Sequence, residues 1–148
     1  MRLQLAEQAR EAQRELRRRL RASNVGRLFG FDLEAAEPGR VVMRLHVKAK
    51  HRQLHGVVHG GVLAALVDTA AGIAVHLVVL PHTRVATIEF KINFLEPVIE
   101  GTVFAEARVL RKGRTTAVAE CDVRDAKHLL IAKALLTFSV AHPRPKRP

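Results

Sequence analysis

Hydrophobic and polar positions alternate with a period of two through most of the second half of the chain. In Val85–Phe94, Ile88, Phe90, Ile92 and Phe94 share one face while Thr87, Glu89, Lys91 and Asn93 share the other. Val41, Met43, Leu45 and Val47 oppose Arg44, His46 and Lys48. Val103, Ala105, Ala107 and Val109 oppose Glu106 and Arg108, and Ala117, Ala119, Cys121 and Val123 oppose Glu120 and Asp122. This is the period of a strand with one buried face. A further strand is expected over about Leu129–Ser139. Short segments rich in Gly, Pro and charge separate these runs: Glu37-Pro38-Gly39, Glu100-Gly101, Arg111-Lys112-Gly113-Arg114 and Asp125-Ala126-Lys127, lengths that suit hairpins.

Two segments break the alternation. Leu5, Ala9, Ala12, Leu16 and Leu20 recur at spacings of three and four, which predicts a surface helix with a narrow apolar stripe, ended by Ser23-Asn24. Gly61–Leu80 is apolar throughout, with Asp68 its only charge and His76 its only other ionisable group. Its length would allow a membrane span, but an aspartate near the middle costs roughly 2.5 to 3.5 kcal/mol on insertion scales, and the segment is rich in Ala and Gly. A helix buried on all sides inside a globular fold fits better. The order is helix, two strands, buried helix, then three or four strands. Consecutive strands joined by hairpin-length loops give an antiparallel sheet, so the fold class is α+β, with the sheet wrapped around one long central helix.

The chain has 148 residues, the size of one domain with one core. The single cysteine, Cys121, excludes an internal disulfide framework and a cysteine metal cage, and its place among Ala117 and Ala119 makes it a core residue. Arginine and glutamate crowd the first twenty residues, where a secretory leader would need an apolar core. The expected location is therefore cytoplasmic. Of the net charge of +11, residues 1–27 hold eight arginines against three glutamates, and His142–Pro148 adds Arg144, Lys146 and Arg147. The body between is only mildly basic. The expected division is a basic N-terminal helix and linker over 1–27, the main domain over 28–141, and a disordered basic tail over 142–148. The N-terminal helix has no Tyr or Trp to stack on bases, and Glu7, Glu11 and Glu15 dilute its field, so a helix docked by its leucine stripe is expected rather than a nucleic-acid arm.

Candidate chemistry gathers at the start of the central helix. Gln53-Leu54-His55-Gly56-Val57-Val58-His59-Gly60-Gly61 leads straight into it. Two glycines at a helix start let a ligand approach backbone N–H groups that have no intrahelical partner, at the positive end of the dipole. Asp68 is costly to bury without a partner, and burial raises a carboxyl pKa toward the range of a general base. Gly60 and Asp68 lie eight residues apart, about 12 Å along a helix. Catalytic groups must stand near 3 Å of the reacting atoms, so the two can share one substrate only if they come from two subunits. His51, His55 and His59 are spaced four apart, but Gly56 and Val57-Val58 argue against the continuous helix that would align them on a metal; no metal site is expected.

The block His59-Gly60-Gly61-Val62-Leu63-Ala64-Ala65-Leu66-Val67-Asp68-Thr69-Ala70, followed by four strands, resembles the hotdog-fold acyl-CoA thioesterases of the phenylacetate-pathway (PaaI-like) group. The resemblance covers about residues 28–140. It implies a hotdog fold and hydrolysis of an acyl-CoA substrate by a homodimer, assembled further as a dimer of dimers, with no cofactor beyond the coenzyme A of the substrate. Residue by residue, it implies that the Gly60 N–H binds the thioester carbonyl, that His59 shapes this loop, and that Asp68 of the partner subunit is general base or nucleophile. Thr87 falls where the group often has a Ser or Thr that helps hold water. Gln53 stands where Asn is common, with a longer reach. Arg111, Lys112, Gly113 and Arg114, at a hairpin tip, are candidates for the phosphates of coenzyme A. Two other classes are weighed: an acyl-CoA-sensing module that uses the N-terminal helix on DNA, and a hotdog hydratase acting on enoyl-CoA. The first has one short basic helix and no helix-turn-helix; the second would pair an Asp with a His after a short spacing, and no Asp-x-x-x-x-His is present.

Overall fold

The computed structural model describes residues 2–79 and 81–141; the tail 142–148, expected to be disordered, lies outside the described residues. The chain runs α1 (Arg2–Ala22), α2 (Asn24–Phe29), β1 (Phe31–Glu37), β2 (Arg40–His46), a 3-10 turn (Ala49–His51), α3 (Gly60–His76), β3 (Arg84–Phe94), β4 (Thr102–Lys112), β5 (Thr116–Asp125) and β6 (Leu130–Ala141). The six strands form one sheet in the order β1-β2-β4-β5-β6-β3, with every neighbouring pair antiparallel. It is a hotdog fold, with the sheet curved around α3.

The inward face of the sheet follows the period-two reading closely. Val41, Met43, Leu45, Val103, Ala105, Ala107, Ala119, Cys121 and Val123 are fully buried. The alanines of β4 and β5 leave room for α3 to lie close to the sheet, and Val62, Leu63, Leu66, Val67, Ala70, Ala71, Ala74 and Val75 fill that space from the helix. Burial, then the charge of Asp122, push the Cys121 thiol up to about 12, as suits a core residue.

Three expectations need correction. First, α3 is buried on one face only. Gly61 and His76 are exposed, and Ala64, Ala65, Asp68, Thr69, Gly72 and Ile73 are only half-buried, because a single sheet can cover just one side of a helix. The apolar character of the other face therefore reflects small residues, not enclosure within the chain. The helix also stops at His76, before Leu77–Val79. Second, the boundary at residue 27 falls inside a helix: Ser23 ends α1 but also caps α2, its hydroxyl accepting from the Gly26 N–H at 3.0 Å. Third, β3 does not alternate strictly. Thr87 pairs with Phe138 and Glu89 with Thr137, so Ile88 has no cross-strand partner and the phase shifts by one residue.

α1 docks on the edge of the sheet. Leu20 is buried and Leu16 packs against the core. The Arg17 Nε donates to the Leu33 carbonyl at 2.9 Å and the Gln13 amide to the Ala36 carbonyl at 2.8 Å. Arg21 and Arg44 both reach Asp32. Burial by itself raises the Asp32 pKa, but hydrogen bonds from Arg21, Arg44 and the Leu33 N–H outweigh it and hold the carboxyl at about 2. Arg18 and Arg19 pair with Glu15. No helix among the described residues is long and apolar enough to cross a membrane.

Candidate active site

The entry to α3 is built from backbone. His59 sits in extended conformation as the helix cap, and its Nδ1 accepts from the Gly61 N–H at 2.8 Å. With Nδ1 an acceptor, the imidazole proton lies on Nε2. The His59 N–H donates to the His51 carbonyl at 2.8 Å, tying the cap to the preceding turn. His51 is itself buried: its Nδ1 accepts from the Lys48 N–H and its Nε2 donates to the Phe29 carbonyl at 2.8 Å. Burial lowers its pKa, so this imidazole is held neutral. The side-chain nitrogens of His51 and the Nδ1 of His59 are engaged with backbone groups, and no cluster of three or more His, Cys, Asp or Glu among the described residues could hold a metal ion.

A side chain at either glycine would press on a neighbour. A Cβ on Gly60 would stand 2.9 Å from the Phe94 ring, and one on Gly61 would stand 3.0 Å from His59 Nδ1. The first-turn N–H of Gly60 has no acceptor among the described residues. Gly60 lines a cavity of about 400 Å³ together with Gln53, Val57, Leu63, Phe94, Pro97 and others. The Gln53 side-chain oxygen accepts from the His55 N–H, which folds the amide onto its own loop. Its longer reach is thereby used locally.

Asp68 lies two turns along, on the open face. It is half-buried rather than enclosed, and it has no ion pair among the described residues. Its partner is Thr87, whose hydroxyl donates to Asp68 Oδ1 at 2.6 Å. The bulge at Ile88 explains the meeting. Thr87 lies opposite Phe138, which is buried, and so shares the helix-facing side with Phe90 and Ile92 beyond the bulge. Asp68 and Thr87 border an open cavity of about 640 Å³, with Ile73, Leu77, Val85 and Phe138 on its apolar walls. Leu16 of α1 also lines it, a residue that periodicity identified only as part of a docking stripe. Phe94 was legible as a strand residue, but nothing in its spacing announced the close approach to Gly60.

The two halves of the candidate chemistry therefore open into different cavities of one chain. The basic segment is less of a tip than expected: Arg111 and Lys112 belong to β4, paired with Val118 and Ala117, and the turn proper begins at Gly113. Its position is nonetheless informative. Thr116 pairs with Ser139, and Ser139 with Ala86, so the end of this hairpin lies two strands across from Thr87.

Comparison with known proteins gives a consistent result. A family model described as the thioesterase superfamily matches residues 55–132. A Saccharolobus solfataricus protein that bears an esterase name is 40% identical over 99 residues, covering 67% of this chain and 70% of that one. The 1,4-dihydroxy-2-naphthoyl-CoA hydrolase of Listeria monocytogenes is 30% identical over 116 residues, covering 78% and 94%. The crystal structure of a thioesterase from Haemophilus influenzae superposes with a TM-score of 0.84 at 26% identity, covering 92% and 94%.

Proposed function

The chain belongs to the thioesterase superfamily, and on that premise we propose that it hydrolyses acyl-CoA thioesters to the free acid and coenzyme A at sites shared between two subunits. The observation that carries this reading is the Asp68–Thr87 pair: a carboxylate without an ion pair among the described residues, oriented by a hydroxyl at 2.6 Å, at the edge of a largely apolar cavity. A Listeria relative that acts on a CoA thioester supports the leaving group. The sequence block from His59 to Ala70 supports membership of the phenylacetate-pathway group.

The thioester carbonyl sits against the Gly60 N–H of one subunit, where the helix dipole favours negative charge. As general base, Asp68 of the partner subunit takes a proton from water while the water oxygen attacks the carbonyl carbon. The oxyanion collapses, the C–S bond breaks, and the thiolate takes up the proton. As nucleophile, Asp68 attacks the carbon directly, the C–S bond breaks with release of the coenzyme A thiolate, and water then hydrolyses the mixed anhydride to the free acid and the Asp68 carboxylate. Thr87 orients the carboxylate in either route. The two copies pair across the open face of α3, which carries Asp68, and the exposed edge of β3 lies beside that face. A dimer of dimers extends this assembly, and Arg111, Lys112 and Arg114 meet the coenzyme phosphates. Coenzyme A arrives as part of the substrate.

The test is Asp68→Asn. The variant should keep the far-UV circular dichroism of the wild type and lose hydrolysis of CoA thioesters; wild-type-like turnover would refute the role.

A further inference from the structure

α1 lies wholly before the segment matched by the family model, which begins at residue 55. It nonetheless reaches the cavity of Asp68. Leu16 lines that cavity together with Ile73 from α3, Leu77 just beyond its end, Val85 from β3 and Phe138 from β6. These walls are apolar; Asp68, Thr69, His76, Thr83, Arg84 and Thr87 supply the polar part of the lining. A volume of about 640 Å³ is in the range of sites that enclose a small organic ligand.

Leu16 is also held in place. One turn before it, the Gln13 amide is bonded to the Ala36 carbonyl; at the next residue Arg17 is bonded to the Leu33 carbonyl; one turn after it, Leu20 is buried in the core. Arg21 then fixes the end of the helix to Asp32 through two hydrogen bonds of 3.0 and 2.7 Å. A side chain clamped on both sides cannot swing away from an incoming chain without breaking these contacts. It is a wall.

We infer that α1, through Leu16, closes the acyl end of the site and sets the length of the apolar acyl chain that the enzyme accepts. The inference rests on the thioesterase reading and adds to it a residue that selects the substrate. Leu16 touches no reacting atom in this account, so its substitution should change selectivity among substrates more than the rate on the best one.

The experiment is a series of Leu16→Ala, Leu16→Met and Leu16→Trp assayed on straight-chain acyl-CoAs of increasing length, with kcat/KM taken for each. A mismatch of one methylene in an apolar pocket is worth roughly tenfold or more in discrimination. Leu16→Ala should raise the ratio of long-chain to short-chain kcat/KM by about tenfold, Leu16→Trp should lower it by a similar factor, and Leu16→Met should leave the profile near that of the wild type. Any one folded variant of altered volume suffices, since the ratio is read within one enzyme. An unchanged ratio with hydrolysis intact would overturn the role of Leu16 and leave the thioesterase reading standing. Failure of the wild type to hydrolyse any of these thioesters would overturn the reading and the inference with it.

Discussion

The two ends of the candidate site are built by different means. At the start of α3 the chemistry belongs to the backbone: an N–H without an acceptor among the described residues, a histidine cap that accepts from the Gly61 N–H, and a glycine whose Cβ would press on an aromatic ring. Two turns on, it belongs to side chains from two elements, Asp68 on α3 and Thr87 on β3, brought together by a one-residue bulge. The first end depends on local geometry, and an added Cβ there displaces the Phe94 ring. The second depends on long-range register and on the charge of one carboxylate.

That contrast can be broken by substitution. The largest effect is expected at the side-chain end, where Asp68→Asn should lower kcat by about 10³-fold, the contribution of a positioned general base. Steady-state kinetics with the fold checked by circular dichroism reads it. At the backbone end, two changes at one position separate donor from space. Gly60→Pro removes the N–H, and His59 already has the extended conformation that a residue before proline prefers; the loss should be about 10²- to 10³-fold in kcat. Gly60→Ala keeps the donor and only presses on Phe94, so Phe94→Ala in the same chain should restore much of its activity. If Pro and Ala were equally damaging and Phe94→Ala rescued both, space and not the donor would be what the glycine provides.

Smaller effects sharpen the same distinction. Thr87→Val deletes one hydrogen bond to a charged group, worth about 2 kcal/mol or roughly thirtyfold in rate, whereas Thr87→Ser should retain most of the activity. His59→Ala removes a helix cap and should lower stability by about 1 kcal/mol, read by thermal melts followed by circular dichroism, since the chain has no Trp or Tyr. Acid should act away from both ends. The Asp32 carboxyl is held at about 2 in the folded chain against an ordinary value of 3.8, so the stability it provides is present above that ordinary value and is lost as pH falls toward 2. His51, whose pKa is lowered by burial, likewise contributes above its ordinary value of 6.5 and loses that contribution as pH falls below it. Replacing Asp32 by Asn should flatten the lower part of this dependence.

Much of this was legible from spacing alone. Val41–Leu45, Val103–Ala107 and Ala117–Val123 alternate strictly because these stretches of central strands pack on a helix, and burial there leaves no latitude. Gly60-Gly61 and Asp68 stood out because each carries a local cost. What escaped was non-local. The bulge at Ile88 has no sequence marker, so period-two spacing puts Thr87 on the face away from the apolar positions, and only the resemblance points to a role for it. The enclosure of α3 was overestimated because Ala and Gly are apolar whether they meet a sheet or lie open. Ser23 reads equally as the end of one helix and the cap of the next. Leu16 looked like any docking leucine, and its contact with the cavity of Asp68 follows only from where α1 settles on the sheet.

The central claim is that Gly60 and Asp68 serve one substrate from two subunits, and the direct measurement is complementation. Gly60→Pro and Asp68→Asn proteins, each inactive alone, are dissociated, mixed and reassembled, with heterodimers verified by native mass spectrometry. A statistical mixture is half heterodimer, and each heterodimer holds one intact site of two, so activity should return to about a quarter of the wild-type level. Verified heterodimers with no recovered activity would contradict the shared site.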